Sequence, residues 1–244
     1  MQPDINYHGP VVAFDLDDTL FRERDFCRSG FRFLCDPVRY RVADLDPYPS
    51  GEALSLLAGR MDRELTGRKN PFVPFEEFFR PLAEAAGKGW NLQEHIGAYR
   101  SHQPEGLPLA EGVAEVLESL AAAGVRMAIV TDGRSVTQRR KIEALGLFRF
   151  VSPECIFISE ETGADKHSPD MFAAVVRRFP EASGFFYVGD NLAKDFYHPN
   201  LLGWTTLRVP EHPDNVHPPV AAPDPAYEPS ALLPSFSALR EYIL

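Results

Sequence analysis

Cysteine is scarce in this chain: Cys27, Cys35 and Cys155 are all there are. An odd number at such wide spacings builds neither a disulfide framework nor a four-ligand zinc site, so free thiols in a reducing compartment are expected. Long apolar runs are missing too. None approaches the ~20 residues that span a bilayer, and Met1 to Gly9 lacks the basic start and apolar stretch of a secretory signal. Positive charge is in deficit, with 25 Lys and Arg against 35 Asp and Glu and a formal net charge of −10. General affinity for nucleic-acid polymers or anionic membranes depends on summed cations, so neither partner is expected. No glycine pattern matches a P-loop, since Gly87-Lys88-Gly89 has no preceding strand; Glu94, His95 and His102 lack zinc-helix spacing, and no internal repeat is present. These absences describe a cytoplasmic protein, compatible with either a monomer or a homodimer.

What is present is the balance of a globular protein, 44% hydrophobic and 25% charged over 244 residues, enough for one substantial core and a smaller accessory unit. From residue 106 onward, helical and strand patterns alternate at the spacing of a parallel sheet covered by helices. Glu111 to Ala123 reads as an amphipathic helix closed by Gly124, followed by a strand over Val125 to Val130. A helix over Ser135 to Leu145 stops at Gly146, and Cys155 to Ile158 is a short strand. Ser168-Pro169 opens the next helix with an N-cap residue and proline at the first position, and Phe179-Pro180 ends it. Phe185 to Val188 and Trp204 to Val209 complete the strands. The pattern predicts an α/β fold, a Rossmann-like parallel sheet with helices on both faces. Pro210 to Pro234 holds eight of the 22 prolines and should wrap the surface without joining the sheet.

The run Val11 to Leu16 is a further strand, separated from the rest by about 85 residues that read as helical over Arg22 to Leu34, Gly51 to Met61, Phe75 to Ala86 and Asn91 to Ser101. An all-helical domain over residues 21–105 is therefore expected as an insertion in a core formed by 1–20 and 106–244. Arg24, Arg28 and Arg32 recur at i, i+4 and i+8 and form one stripe on its first helix. Arginine suits bidentate recognition of phosphate or carboxylate, which makes these three candidates for substrate specificity; the plainer reading is a solvated face with Glu23, Asp25 and Asp36 as partners.

The chemistry concentrates where strands end. Val11-Val12-Ala13-Phe14 leads into Asp15-Leu16-Asp17-Asp18-Thr19-Leu20, and carboxylates after a buried strand must be paired or coordinated. Val125 to Val130 leads into Thr131-Asp132-Gly133, Lys166 precedes a capped helix, and Phe185 to Val188 leads into Gly189-Asp190, with Asp195 five residues on. In a parallel α/β sheet such positions converge on one rim. Four carboxylates there would repel one another unless cations intervene, and an all-oxygen set suits Mg²⁺ together with the Lys166 ammonium.

These four segments, in this order, resemble the four motifs of the haloacid dehalogenase superfamily. The resemblance implies a phosphoryl-transfer site in which Asp15 is the nucleophile and Asp17 the general acid and base. Thr131, with the N–H groups of Asp132 and Gly133, would bind substrate phosphate, and Lys166 would balance charge on nucleophile and substrate. Mg²⁺ would be held by the Asp15 carboxylate, the Asp17 backbone carbonyl and Asp190. Asp195 is expected to hold Lys166 or a metal-bound water. The helical insertion occupies the place of a cap that closes over the site, which implies a small phosphorylated metabolite as substrate. An acid at Asp17 favours phosphate-ester hydrolysis over the family's dehalogenases and phosphonatases, which lack one there. A phosphomutase acting on a sugar phosphate and a non-catalytic binding module on the same fold are the alternatives; an intact Asp15, Asp17, Lys166 and Asp190 speak against the second. His167 departs from the proline that many members carry after the lysine.

Overall fold

The computed structural model describes residues 2–36, 51–65, 73–85, 91–216 and 219–244. At its centre is β1 (Pro10–Phe14), whose residues Val11 to Phe14 are wholly buried. Such a run is what a central parallel strand covered on both faces requires. The chain then runs through α1 (Glu23–Leu34), α2 (Gly51–Leu65), α3 (Val73–Ala85), α4 (Leu92–Ser101) and α5 (Val113–Ala122) before returning to the sheet as β2 (Arg126–Thr131). After that come α6 (Ser135–Ala144), β3 (Ile156–Ile158), α7 (Ser159–Thr162), α8 (Pro169–Arg178), β4 (Gly184–Gly189), α9 (Tyr197–Leu201), β5 (Thr205–Arg208), β6 (Ala231–Leu232) and α10 (Arg240–Ile243).

The six strands form one parallel sheet in the order β3-β2-β1-β4-β5-β6. The chain winds outward from β1 through β2 to β3, then crosses back to add β4 on the other side. That reversal between β1 and β4 is a topological switch point, where an open α/β sheet leaves a crevice beyond its strand ends. Register fixes what meets there. Phe14 pairs with both Ile129 and Val188, and the Asp15 N–H donates to Val188 O at 2.9 Å, so Asp15, Thr131 and Asp190 follow on one rim. On the sheet's faces, α8 packs over β2 and β3, while α5 packs with α10.

β1 stops at Phe14 rather than Leu16 because the backbone turns away: Leu20 N–H donates to Leu16 O at 3.0 Å, and Asp18 adopts a left-handed φ of 58°. The proline-rich segment corrects the sequence reading. It does join the sheet, since Ala231–Leu232 pairs with β5 as a sixth, edge strand. Ala231, Leu232 and Leu233 lie between Pro229 and Pro234 and keep their N–H donors, and Leu233 N–H reaches Arg208 O at 2.8 Å.

Between β1 and α5 the described elements are all helices, as the pattern predicts. Helix α1 packs against α2 and α4, burying Phe26, Phe31 and Leu34, with the two phenyl rings against Tyr99 of α4. Arg39 and Arg41, and the Gly87-Lys88-Gly89 sequence, lie outside the described residues. No helix among the described residues is long and apolar enough to cross a membrane.

Candidate active site

One ammonium organises the rim. The Lys166 side chain is 0% exposed and donates to Asp15 Oδ1 and, at 2.7 Å, to Asp195 Oδ1. Its own place is fixed twice: Lys166 N–H donates to Asp132 Oδ1 at 3.1 Å, and the Ser168-Pro169 start of α8, capped by Ser168 Oγ, holds the loop from the other side. The second Asp15 oxygen accepts from Thr19 Oγ1 at 3.1 Å.

Asp195 closes the loop after β4. Its Oδ2 accepts the N–H groups of Asp190 and Asn191 at 3.1 and 2.8 Å, and Tyr187 adds a hydroxyl at 3.4 Å to Oδ1. Gly189 makes this approach possible, because a Cβ there would lie 2.5 Å from Asp195 Oδ2. Asp195 is thus saturated with donors, the Lys166 ammonium among them. Asp190 is the opposite case: among the described residues no donor reaches its carboxylate, although oxygens of Asp15, Asp190 and Asp195 lie within 4.8 Å of one another.

The electrostatics follow. Burial pushes the Asp15 carboxyl up to about 6 even with the Lys166 ammonium pulling it down, and burial with the charges of Asp195 and Asp15 holds Asp190 well above the usual range. Burial would also raise Asp195, but the Lys166 and Lys194 ammoniums and its hydrogen bonds keep it below. Burial disfavours the Lys166 cation, yet Asp15 and Asp195 together stabilise it strongly. The rim holds more buried carboxylate than its lysines neutralise. A donor-free carboxylate facing two others, all oxygen, fits a hard divalent cation.

Asp17 faces elsewhere. Lys141 Nζ lies 2.7 Å from its Oδ1 and Gln138 Nε2 is 2.9 Å from its Oδ2, so its carboxylate is not part of the three-carboxylate cluster. Gln138 also donates to Thr131 Oγ1 at 2.6 Å. Both α6 residues escaped the sequence reading, as did Asp18, which accepts from Glu23 N–H at 3.0 Å and Val216 N–H at 3.3 Å and is pushed by burial to about 7. Gly133 has φ 142°, open only to glycine at ordinary cost. Its N–H, expected to face a phosphate, donates in the structure to Ser159 Oγ at 2.9 Å, a partner supplied by the start of α7.

The arginine stripe is engaged within the helical segment. Arg24 and Arg28 both donate Nε to Asp62 Oδ1 of α2 at 3.0 Å, and Arg24 also reaches Asp214 at 3.1 Å. Arg22 contacts Asn215 Oδ1 at 3.4 Å, so the start of the proline-rich segment is tied to α1. Arg32 stands beside Arg28, Cys35 and Asp36 around a cavity of about 490 Å³.

Residues 10–196 match the family described as haloacid dehalogenase-like hydrolase. The chain is 36% identical over 200 residues to a ribulose-1,5-bisphosphate 5-phosphatase of Halopiger xanaduensis, covering 81% of this chain and 83% of that protein. It is 34% identical over 203 residues to a glyceraldehyde 3-phosphate phosphatase of Methanopyrus kandleri, covering 82% and 83%. Among solved structures, the HAD-hydrolase YfnB of Bacillus subtilis, bound to magnesium, superimposes with a TM-score of 0.58 at 21% identity, covering 97% of this chain and 99% of that one.

Proposed function

The chain belongs to the haloacid dehalogenase-like hydrolase family, and from that footing we propose that it is a Mg²⁺-dependent phosphatase acting on small phosphorylated metabolites. The observation that carries this reading is a pair of carboxylates two residues apart at the end of a buried strand, used differently. Asp15 faces Lys166 and the donor-free Asp190, while Asp17 turns towards α6.

Asp15 attacks the phosphorus in line, forming an aspartyl phosphate as the ester P–O bond breaks. Asp17 gives the departing oxygen its proton, then takes one from the water that attacks the aspartyl phosphate and releases orthophosphate. Lys166 offsets charge on Asp15 and on the incoming phosphate. Thr131 Oγ1 accepts from Gln138 and donates over a long 3.5 Å to Asp132 O; turned from that carbonyl, its hydroxyl donates to a phosphate oxygen, beside the Asp132 N–H. When bound, Mg²⁺ would be held by the Asp15 and Asp190 carboxylates and the Asp17 carbonyl, and supplies positive charge against the repulsion between an anionic nucleophile and an anionic substrate.

In this reading residues 1–20 and 106–244 form the catalytic core and 21–105 a cap that restricts the substrate to small molecules. With Arg24 and Arg28 drawn to Asp62, Arg32, which lines a cavity within the helical segment, is the stripe's remaining candidate for selecting among substrates. Two relatives are named for phosphorylated sugars of three and five carbons, which makes short sugar phosphates the first compounds to try. The test is phosphate release from a panel of phosphorylated metabolites with and without Mg²⁺, with Asp15→Asn alongside. Metal-dependent release abolished in the variant is the expected result. No release from any compound, or equal release by Asp15→Asn, overturns the reading.

A further inference from the structure

Asp17 is held by one helix face. Gln138 and Lys141 stand one turn apart on α6, both buried, and each takes one oxygen of the Asp17 carboxylate, at 2.9 and 2.7 Å. The two contacts differ in what lies behind them. Gln138 also donates to Thr131 Oγ1 at 2.6 Å, which ties Asp17 to the phosphate-facing end of β2. Lys141, only 3% exposed, looks the other way: its Nζ is 3.6 Å from Glu23 Oε1 at the start of α1, and it lies over the rings of Phe26 and Phe21 at 4.7 and 5.8 Å. Phe21, Glu23 and Phe26 all belong to the passage from the catalytic strand into the helical segment. Helix α6 meets that segment a second time, where Thr137 Oγ1 donates to Arg100 O at 3.1 Å at the end of α4.

A buried ammonium with two carboxylate partners, one on the catalytic loop and one on the first inserted helix, is a costly arrangement unless both partners serve it. We propose that Lys141 and Gln138 are positioning residues for Asp17, and that Lys141 shares its charge between Asp17 and Glu23 so that the orientation of the acid and base follows the placement of the helical segment. Glu23 holds the ammonium from the helical segment while the ammonium and Gln138 set the direction of the Asp17 carboxylate, so a change at Glu23 is exchanged for a change at Asp17. The rings of Phe21 and Phe26 cover the ammonium, while the carboxylates of Asp17 and Glu23, each 22% exposed, stay in contact with solvent. The proposal rests on the phosphatase reading, in which Asp17 is the proton donor.

The test compares Lys141→Met, Asp17→Asn and the double variant on two esters. One is an alkyl phosphate, whose leaving oxygen needs a proton. The other is p-nitrophenyl phosphate, whose nitrophenolate leaves without one, followed by the first-turnover burst. For the alkyl ester, Lys141→Met is expected to lower kcat by about 10- to 100-fold, below the ~10²–10⁴-fold typical of losing an acid or base outright, with KM nearly unchanged. The nitrophenolate burst should stay within about threefold, and the double variant should be no slower than Asp17→Asn, because residues acting as a unit are non-additive. Equal losses on both esters, or losses that multiply in the double variant, overturn the proposal and leave Lys141 a structural residue. Should Lys141→Met fail to fold, Glu23→Gln, at a partly exposed position, answers the same question: it should change the ratio of alkyl to aryl turnover, and an unchanged ratio overturns the exchange. The alkyl ester is the compound of the metabolite panel that the protein hydrolyses best, so release from none of them overturns the phosphatase reading and this proposal together.

Discussion

Two ionic clusters in this molecule are inverse in composition, one cation between two carboxylates and one carboxylate between two cations, and opposite in character. At the strand ends, Lys166 serves Asp15 and Asp195 with its side chain and that of Asp195 0% exposed. In the helical segment, Arg24 and Arg28 share Asp62, with side chains 14%, 32% and 23% exposed. Coulomb attraction between partners is strong in the first and screened in the second, but the larger contrast lies in what happens when one partner is removed. Water and salt can take the place of a missing charge around Asp62. Around Lys166 only a proton or a bound cation can do so, and without one the Asp15 and Asp195 carboxylates would stay buried with no cation in contact. A cluster that cannot be dismantled cheaply is the one suited to hold a nucleophile still.

The largest expected effect follows directly. Lys166→Met should cost about 3–5 kcal/mol of stability, the range for breaking a buried pair by removing one partner, and should abolish phosphate release. Urea unfolding measures the first and the metabolite panel the second. A loss under about 1 kcal/mol would place Lys166 in the same class as the arginines and break the comparison.

A second test sharpens it through pH. Asp15 ionises near 6 rather than 3.8 in the folded protein, Asp18 near 7, and Asp190 is shifted in the same direction. Between roughly pH 4 and 7 the folded state therefore binds more protons than the unfolded chain, so these groups make stability fall as pH rises through that window. Asp195 has the opposite sign: its lowered pKa gives stability present above the unfolded value and lost as pH falls through the folded one. In chelator, the thermal midpoint should be higher at pH 5.5 than at 7.5. Mg²⁺ should reverse this by supplying the missing positive charge at pH 7.5. At a hundred times its Kd it contributes about 2.7 kcal/mol, and it should do much less at pH 5.5, where protons already occupy the carboxylates. A midpoint insensitive to Mg²⁺ at both pH values would mean that the lysines suffice for the rim.

The same contrast explains which parts are legible in the sequence. Asp15, Thr131 and Asp190 can be placed because a residue just past a parallel strand has one destination, the carboxyl rim, whatever else the chain does. Asp195 can be placed because it returns within five residues to the loop after β4. The arginine stripe is legible as a stripe, but Asp62 lies 34 residues beyond Arg28 on another helix, and no local pattern names that partner. Lys141 escapes for a different reason. Arg139-Arg140-Lys141 reads as a solvated charge run, yet Gln138, Lys141, Ile142 and Leu145 fall at i, i+3, i+4 and i+7 and are all buried. The helical period is there; the lysine on the apolar face is the signal. The proline-rich segment misleads because its proline count hides three consecutive residues able to pair with β5.

The smallest expected effect concerns Asp62. Asp62→Asn removes the carboxylate shared by Arg24 and Arg28 but leaves Asp214 to the first and Asp25 to the second, at 3.1 and 3.2 Å. Both guanidiniums also remain within reach of water. The cost should be at most about 1 kcal/mol, as for exposed pairs, and should shrink further in about 1 M salt, where the screening length is about 3 Å. Phosphate release on small substrates should change in KM more than in kcat, since the freed arginines alter charge in the helical segment and touch none of the groups around Asp15. A salt-independent loss of several kcal/mol would show that the helical cluster is no easier to dismantle than the strand-end one. Burial of Lys166 would then no longer distinguish a catalytic ion pair from a structural one in this fold.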